Sequence, residues 1–429
     1  MSEPKCRLGD IAQINPETLG IDTASDYFFK YIDISSVNQG VIDWSSVRSY
    51  QFCDAPSRAR RIIRQNDVLI CTVRPGLQAH CFIGRSDYGN LVASTGFAVV
   101  RCGSDISPRY LFHSLFGPDI PAQLRKKETG SNYPAVNERD IQDIFILCPA
   151  ITIQNKIARI LDTLDEAILK TEQLIAKLKA IKQGLLHDLL TRGLDENGQL
   201  RDPVAHPEQF KPSPLGPIPK EWEIDPISKI CKIINGGTPT TNISKYWNGD
   251  IPWLTVEDFN TGKRFVYEAT KTITEKGLME SATSLLPKGA LIISARGTVG
   301  VIAQLGREMA FNQSCYGLIS KRRECSENYL YYFLNEFMGK FKQATFGSVF
   351  DTITRATFDK ILIGYPPNEE ESERIVENLA SVDSLLEKNQ EEAGKLRLLK
   401  KGLMHDLLTG KVRVNIKEEN RGQVKGDNF

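Results

Sequence analysis

Lys182-Gln183-Gly184-Leu185-Leu186-His187-Asp188-Leu189-Leu190-Thr191 returns later in the chain as Lys400-Lys401-Gly402-Leu403-Met404-His405-Asp406-Leu407-Leu408-Thr409. Each copy closes a long helical pattern, and each pattern follows a stretch rich in β-type residues. The chain therefore reads as a pseudo-two-fold tandem repeat. Fainter echoes keep the same phase. Leu8, Ile11 and Ile14 match Ile227, Ile230 and Ile233, while 67–74 (Asp67 to Arg74) matches 289–296 (Gly289 to Arg296). Gly130-Ser131 matches Gly347-Ser348, and Pro149 matches Pro366. The offset stays between 217 and 222, and no short solenoid period is present.

The helices carry a heptad seam. Apolar positions step by four and three through Ile153, Ile157, Ile160, Leu164, Ala167, Thr171, Leu174, Leu178, Ile181 and Leu185. The second copy runs Ile375, Leu379, Val382, Leu385, Asn389, Ala393, Leu396, Leu399 and Leu403. At ~1.5 Å per residue the first helix is about 58 Å long, more than a surface helix on a compact domain needs. Thr171 and Asn389 are equivalent polar residues near the two midpoints. An antiparallel pair is predicted to bring them together in a shared hydrogen bond that fixes register. Gly184 and Gly402 sit inside the helical pattern, where glycine costs ~1 kcal/mol relative to alanine. Close packing or a bend is expected at each.

These patterns predict an α+β chain of two α/β modules separated by a long antiparallel two-helix coiled coil. The expected boundaries are 1–150 for the first module, 151–192 for its helix, and 193–221 for a stiff connector. That connector holds Pro203, Pro207, Pro212, Pro214, Pro217 and Pro219. The second module spans 222–367 and the second helix 368–411, leaving 412–429 as a polar, disordered tail. Within the modules, strands are expected at 68–73, 97–100, 290–294 and 316–319. Short helices are expected at 110–115 and 329–334.

Formal net charge is +1 over 429 residues, so nucleic-acid binding would need local basic patches. The nine cysteines form no C-x-x-C, which reads as reduced thiols rather than a zinc site or a disulfide framework. Met1-Ser2-Glu3-Pro4-Lys5 lacks a hydrophobic signal region, and no apolar run approaches the ~18 residues of a membrane span. A cytoplasmic location is expected.

Enzyme motifs are missing: no phosphate loop, no H-E-x-x-H and no dinucleotide fingerprint. Tyr365-Pro366-Pro367-Asn368 has the letters of a methyltransferase motif in the wrong order and reads as a loop leading into the second helix. Gly236-Gly237-Thr238-Pro239 is a turn without P-loop context. His187 and Asp188, like His405 and Asp406, are neighbours about 100° apart on a helix, with no nucleophile. They are candidates for partner docking. No catalytic, cofactor or metal site is expected.

Basic segments are better represented. Arg58, Arg60, Arg61 and Arg64 fall within seven residues. Arg74, Gln78 and His80 follow a strand, and Lys126, Lys127, Asn132 and Tyr133 form a second segment. The other module offers Lys245, Tyr246, Arg264, Lys271, Arg296, Thr298, Lys342 and Gln343. Arginine with Asn, Gln and Tyr is the chemistry that holds phosphates and reads base edges. Arg74 and Arg296 stand out, because the repeat places both at the same strand end.

The duplicated Lys-x-Gly-Leu-[Leu/Met]-His-Asp-Leu-Leu-Thr resembles the specificity (S) subunit of Type I restriction–modification enzymes. So do the connector from Leu194-Asp195-Glu196-Asn197-Gly198 through Pro217-Ile218-Pro219-Lys220-Glu221-Trp222, the Gly236-Gly237-Thr238-Pro239 segment with Ile251-Pro252-Trp253-Leu254, and Ser294-Ala295-Arg296-Gly297-Thr298-Val299-Gly300. The first module fits more loosely: Thr72-Val73-Arg74-Pro75-Gly76 is a variant form, and Gly-Gly-Thr-Pro is absent. The resemblance implies two target-recognition domains that read a bipartite, asymmetric double-stranded DNA target. It also implies two methyltransferase (M) subunits on the paired helices and restriction/translocase (R) subunits outside. S-adenosylmethionine, ATP and Mg²⁺ would serve those partners and not this non-catalytic chain. Two other readings are a methyltransferase or nuclease fused to its own specificity domain, and a non-DNA coiled-coil scaffold with two protein-binding heads.

Overall fold

The computed structural model describes residues 4–84, 89–130, 134–346 and 352–414, without the side chains of 340 and 342–346. The chain forms two compact units. One is Met1–Gln173 with Gln390–Phe429, the other Leu174–Asn389.

In the first unit, strands Val68–Cys71 and Phe97–Cys102 pair antiparallel, with Ile70 opposite Ala98. Both strands are apolar on both faces, and the two-residue period divides their side chains between two cores. Val68, Ile70, Ala98 and Val100 join Leu8, Tyr110, Leu111 and Leu115. Leu69, Cys71, Phe97 and Val99 face the other way, toward Ile32, Ile63 and Leu91. Ala12–Ile14 and Cys81–Phe82 complete this sheet. A second four-stranded sheet has the order Arg48–Gln51, Phe28–Ile32, Leu91–Ser94, Ala59–Ile63.

The second unit repeats the plan. Leu291–Ser294 pairs antiparallel with Cys315–Ser320, Ile292 opposite Gly317, within a five-stranded sheet. Leu291 and Ile293 face the main core, while Ile292 faces Leu254, Phe259 and Phe311. Gly236 and Gly237 are required by packing. A Cβ would come within 2.1 Å of the Asn312 carbonyl oxygen at the first and 2.3 Å of the Ala282 carbonyl carbon at the second. The short helix expected at 329–334 is instead Glu327–Phe346. Phe333, Phe337 and Phe341, four apart, line one face of it, and the rings of Phe333 and Phe337 stack at 4.5 Å.

The two long helices are Ile151–Arg192, 42 residues, and Glu369–Leu408, 40 residues. Asn368 opens the second by accepting a hydrogen bond from the Glu371 amide. In the first unit Ile157, Ala158 and Leu161 enter the module core together with Met404, Leu407 and Leu408 from the end of the other helix. In the second unit Ile375 and Leu379 enter the core together with Leu186, Leu189 and Leu190. Asp165 pairs with Lys400 and Glu172 with Arg397, so the helices run in opposite senses in the first unit. Lys182–Asp383 in the second unit is the repeat-equivalent of Asp165–Lys400, with the two helices exchanging roles.

The seam needs correction at alternate positions. Leu174, Ile181, Leu385 and Leu399 are 44–52% exposed. The covered stripe runs instead through Leu161, Ile168, Ile175 and Lys182, and through Leu386 and Lys400, while Ala393 of the expected seam is buried. Ile157, Leu164, Thr171, Leu178 and Leu185 belong to both, as do Ile375, Val382, Asn389, Leu396 and Leu403. Thr171 Oγ1 donates to the Ala167 carbonyl and Asn389 Nδ2 to the Leu385 carbonyl, each four residues back on its own helix.

The connector is not a bare strut. Phe210–Lys211 and Ile218–Pro219 form a small antiparallel pair, and Trp222 is fully buried. One buried carboxylate ties the segment down: Glu371 accepts from the Leu194 amide at 2.9 Å, Trp222 Nε1 at 3.1 Å and Arg201 Nη1 at 2.6 Å. All nine cysteines are free. Burial pushes the Cys71 thiol up to about 11 and that of Cys231 to about 12, which keeps them protonated and inert. Among the described residues no helix is long and apolar enough to cross a membrane, and no cluster of metal-ligating side chains occurs.

Candidate nucleic-acid interface

Each module presents one exposed turn at the end of its central strand. In the first, Pro75–Leu77 makes a single 3-10 turn. Arg74 (φ 49°) and Gln78 (φ 54°) bracket it, both left-handed, a conformation that costs a residue bearing a Cβ of order 1 kcal/mol or more. The Arg74 amide donates to the Pro134 carbonyl at 2.7 Å, and Val73 bridges Ala135, so the turn is pinned from behind. Arg74 and Leu77 are exposed. The helix Asp119–Lys127 packs against the turn and carries exposed Lys126.

The second module builds its turn after Leu291–Ser294. Gly297 (φ 72°) and Gly300 (φ 77°) supply the positive angles there. Ser294 Oγ donates to the Thr298 carbonyl and accepts from the Val301 amide at 2.8 Å. Arg296 bridges Thr352, as Val73 bridges Ala135. Arg296 and Thr298 are exposed, and no ion pair of Arg296 occurs among the described residues.

Several sequence candidates are spent on the fold. Tyr246 is buried, and its hydroxyl donates to Glu280 at 2.6 Å, a bond that holds the phenol above its usual range. Arg264 donates to Gln304, Tyr332 and Asn328 and lies 4.9 Å from the ring centres of Phe265, Tyr331 and Tyr332. Three of that guanidinium's five N–H donors are thus committed within the module. Arg60 lies over Phe52 at 4.9 Å, Arg61 donates to Thr18, and Arg64 pairs with Glu17 at 2.7 Å. Glu17 also pairs with Arg101, whose hydrogen bond is the main reason that its carboxyl lies below the usual range. Lys127 is half-buried, 3.8 Å from Asp140 and from Asp143. His80 is buried.

Arg58, Lys126, Lys245 and Lys271 remain exposed. Asn132 and Tyr133, and the side chains of Lys342 and Gln343, lie outside the described residues. His187 and His405 are exposed on the long helices. His187 Nδ1 lies 3.8 Å from Glu336, Asp188 pairs with Arg192, and Asp406 with Lys411.

A half-buried network that the sequence did not reveal fixes the first module to its helix. Arg109 and His113 both reach Asp162, His113 at 2.7 Å. Burial alone would raise the Asp162 carboxyl, but these two hydrogen bonds prevail and hold it down at about 2. Arg109 and His113 stand 53 and 49 residues before Asp162, separations at which no local pattern operates.

The family model for the type I restriction modification DNA specificity domain matches the chain twice, over residues 4–180 and 219–394. The type I restriction enzyme MjaIX specificity subunit of Methanocaldococcus jannaschii is 32% identical over 186 residues, 43% of each chain. The MjaVIII specificity subunit of the same organism is 25% identical over 364 residues, 82% of this chain and 80% of the relative. The match thus spans under half of the first relative's length and four-fifths of the second's. The crystal structure of the S subunit of a type I restriction-modification system from M. genitalium shares the fold, with a TM-score of 0.58 at 13% identity over 94% of this chain and 96% of that one. With the specificity domain matched in both halves, the chain belongs to the family of type I restriction–modification DNA specificity subunits, the non-catalytic members of those systems.

Proposed function

We propose that this chain reads DNA for a type I restriction–modification complex, recognising an asymmetric, bipartite target with one module per half-site. The long helices pair as an antiparallel coiled coil and hold two methyltransferase subunits, with restriction/translocase subunits joining outside. S-adenosylmethionine, ATP and Mg²⁺ belong to those partners, and the assembly works in the cytoplasm. The domain boundaries are those of the sequence reading. Arg58, Arg74, Gln78, Lys126, Lys245, Arg296 and Thr298 form the DNA-facing set.

One contrast carries this reading. The helix ends repeat almost residue for residue, whereas the two exposed turns, Arg74-Pro75-Gly76-Leu77-Gln78 and Arg296-Gly297-Thr298-Val299-Gly300, differ. Identical helices suit two copies of one partner, and different turns suit two different half-sites. DNA binding by the complex, measured against salt, tests it. A reader of phosphates loses affinity with a log–log slope of about −0.9 per phosphate contact. A protein-binding scaffold shows no such slope, and mapping modified bases in the host genome would give the target itself.

A further inference from the structure

In each module the chain passes from one sheet to the other through a three-residue corner, and the two corners are built alike. Ser94-Thr95-Gly96 joins Leu91–Ser94 to Phe97–Cys102 in the first. Asn312-Gln313-Ser314 joins Met309–Phe311 to Cys315–Ser320 in the second. The leading side chain of each corner accepts the amide two residues on, Ser94 Oγ from Gly96 at 3.3 Å and Asn312 Oδ1 from Ser314 at 3.1 Å. The trailing carbonyl accepts from the end of the central strand, Gly96 from the Thr72 amide at 2.8 Å and Ser314 from the Ala295 amide at 2.7 Å. Arg74 and Arg296 follow those two donors within two residues, so each corner stands beside the exposed arginine turn of its module. With both flanks pinned, the middle residue is the one turned outward. Thr95 and Gln313 are both exposed. The backbone plan is shared and the outward side chain is not.

Gln313 is held as well as exposed. Thr238 Oγ1 donates to its Oε1. Thr238 is placed by the glycine before it, whose amide donates to the Phe311 carbonyl at 3.0 Å. Two tryptophans strap this segment down: Trp253 Nε1 donates to the Gly237 carbonyl at 3.0 Å and Trp247 Nε1 to the Thr240 carbonyl at 3.3 Å. Gln313 Oε1 keeps a second lone pair, and its Nε2 has no acceptor among the described residues. The amide therefore offers one acceptor and one donor side by side, the pair that fits N6–H and N7 of adenine in the major groove. A long side chain fixed beforehand also loses less freedom on binding. Thr95 is short and needs no such strap. Its methyl group suits the 5-methyl of thymine.

We infer that Gln313 is a base reader of the second module, specific for adenine, and that Thr95 holds the same post in the first, against thymine. This rests on the proposed reading of one half-site by each module, and it names which side chain beside each arginine turn carries sequence information.

The full chain is co-expressed with the methyltransferase subunit of the same genome, and the methylated motif is mapped for the wild type and each variant. Gln313→Ala should relax one A·T position in one half-site and leave the other half-site unchanged. Gln313→Glu, which replaces the donor by an acceptor, should move that position toward cytosine. Thr95→Ala should relax a position of the other half-site only. Thr238→Val should weaken the Gln313 preference by a smaller factor, and Thr238→Ser should restore it. On duplexes carrying the wild-type motif or a substitution at that position, Gln313→Ala should lose roughly five- to 150-fold of the discrimination. The melting temperatures of the Gln313 and Thr95 variant chains should not fall, because both side chains are exposed. An unchanged motif in both Gln313 variants, or relaxation at a pair other than A·T, would overturn the assignment and leave DNA reading by the rest of the module intact. A uniform loss of affinity for every sequence, with the motif kept, would make Gln313 a phosphate contact and equally overturn it. A wild-type complex that methylates no defined motif would remove the DNA-reading function itself, and the base readers with it.

Discussion

Arg74 and Gln78 hold left-handed backbone without being glycine, whereas the turn in the other module has its positive φ angles at glycines, Gly297 and Gly300. Arg74→Ala and Arg296→Ala should each weaken DNA binding by the assembled complex and leave assembly unchanged. A base contact would cost ~1–3 kcal/mol and relax one position of the target; a phosphate contact would lower the salt slope by about one. Wild-type affinity and specificity in both variants would remove these turns from the interface. His80 makes a different prediction. Its Nδ1 accepts the Cys71 amide at 3.0 Å, its Nε2 has no partner, and burial lowers its pKa to about 4. Between the ordinary value of ~6.5 and about 4 the unfolded chain binds a proton there and the folded chain does not. The associated stability is therefore full above pH ~6.5 and is lost as pH falls toward 4, about 3 kcal/mol in all. His80→Asn, whose Oδ1 can accept the same amide, should remove that share of the pH dependence in urea melts followed from pH 7 to 4. That Arg74 and Arg296 both stand exposed in a turn after a central strand was legible because the repeat aligned them. Tyr246 and Arg264 misled because composition does not say which face a side chain takes, and the partners of Arg264 lie 40 to 68 residues away.

At the level of elements, both long helices were legible, and so were the paired central strands. Which side of each helix is covered was only half legible. At 160/161, 167/168 and 174/175 both neighbours are apolar, so periodicity alone had no means of choosing between them. Lys182 and Lys400 lie in the covered stripe because Asp383 and Asp165 neutralise them, and no apolar pattern records an ion pair. The connector misled for a related reason. Its prolines forbid helix, but its course is set by Glu371, on the far side of the second module in sequence. Glu371→Ala should strand the Arg201 guanidinium and the Leu194 amide in a largely buried site. Breaking such a pair costs roughly 3–5 kcal/mol, and urea unfolding followed by Trp222 fluorescence would measure it. A loss under ~1 kcal/mol, the scale of a single net hydrogen bond, would mean that the connector is held chiefly by Trp222 packing.

For the whole molecule, neither unit's core is closed solely by the helix that follows it in sequence; each also takes side chains from the end of the other helix. Met404, Leu407 and Leu408 complete the first unit, and their repeat-equivalents Leu186, Leu189 and Leu190 complete the second. A fragment ending near Thr191 keeps the first module but loses its three closing side chains. Leu186, Leu189 and Leu190 of a second copy can take their place, with Thr171 meeting Thr171 across a two-fold axis. The fragment should therefore dimerise, still recruit methyltransferase subunits, and read a palindrome of the first half-site. Light scattering and a methylation map would check this. A stable monomer, or a dimer that modifies the original asymmetric sequence, would contradict it. The same exchange of helix ends also sets an order of events on the ribosome. The second unit is one continuous stretch, Leu174–Asn389, whereas the first needs residues from both ends of the chain. Synthesis therefore starts the first unit early and finishes it last. At ~5–20 residues per second, its apolar cleft stays open for on the order of ten to forty seconds after Arg192 is made. Throughout that interval a neighbouring nascent chain on the same message can offer the leucines that its own far end has yet to supply.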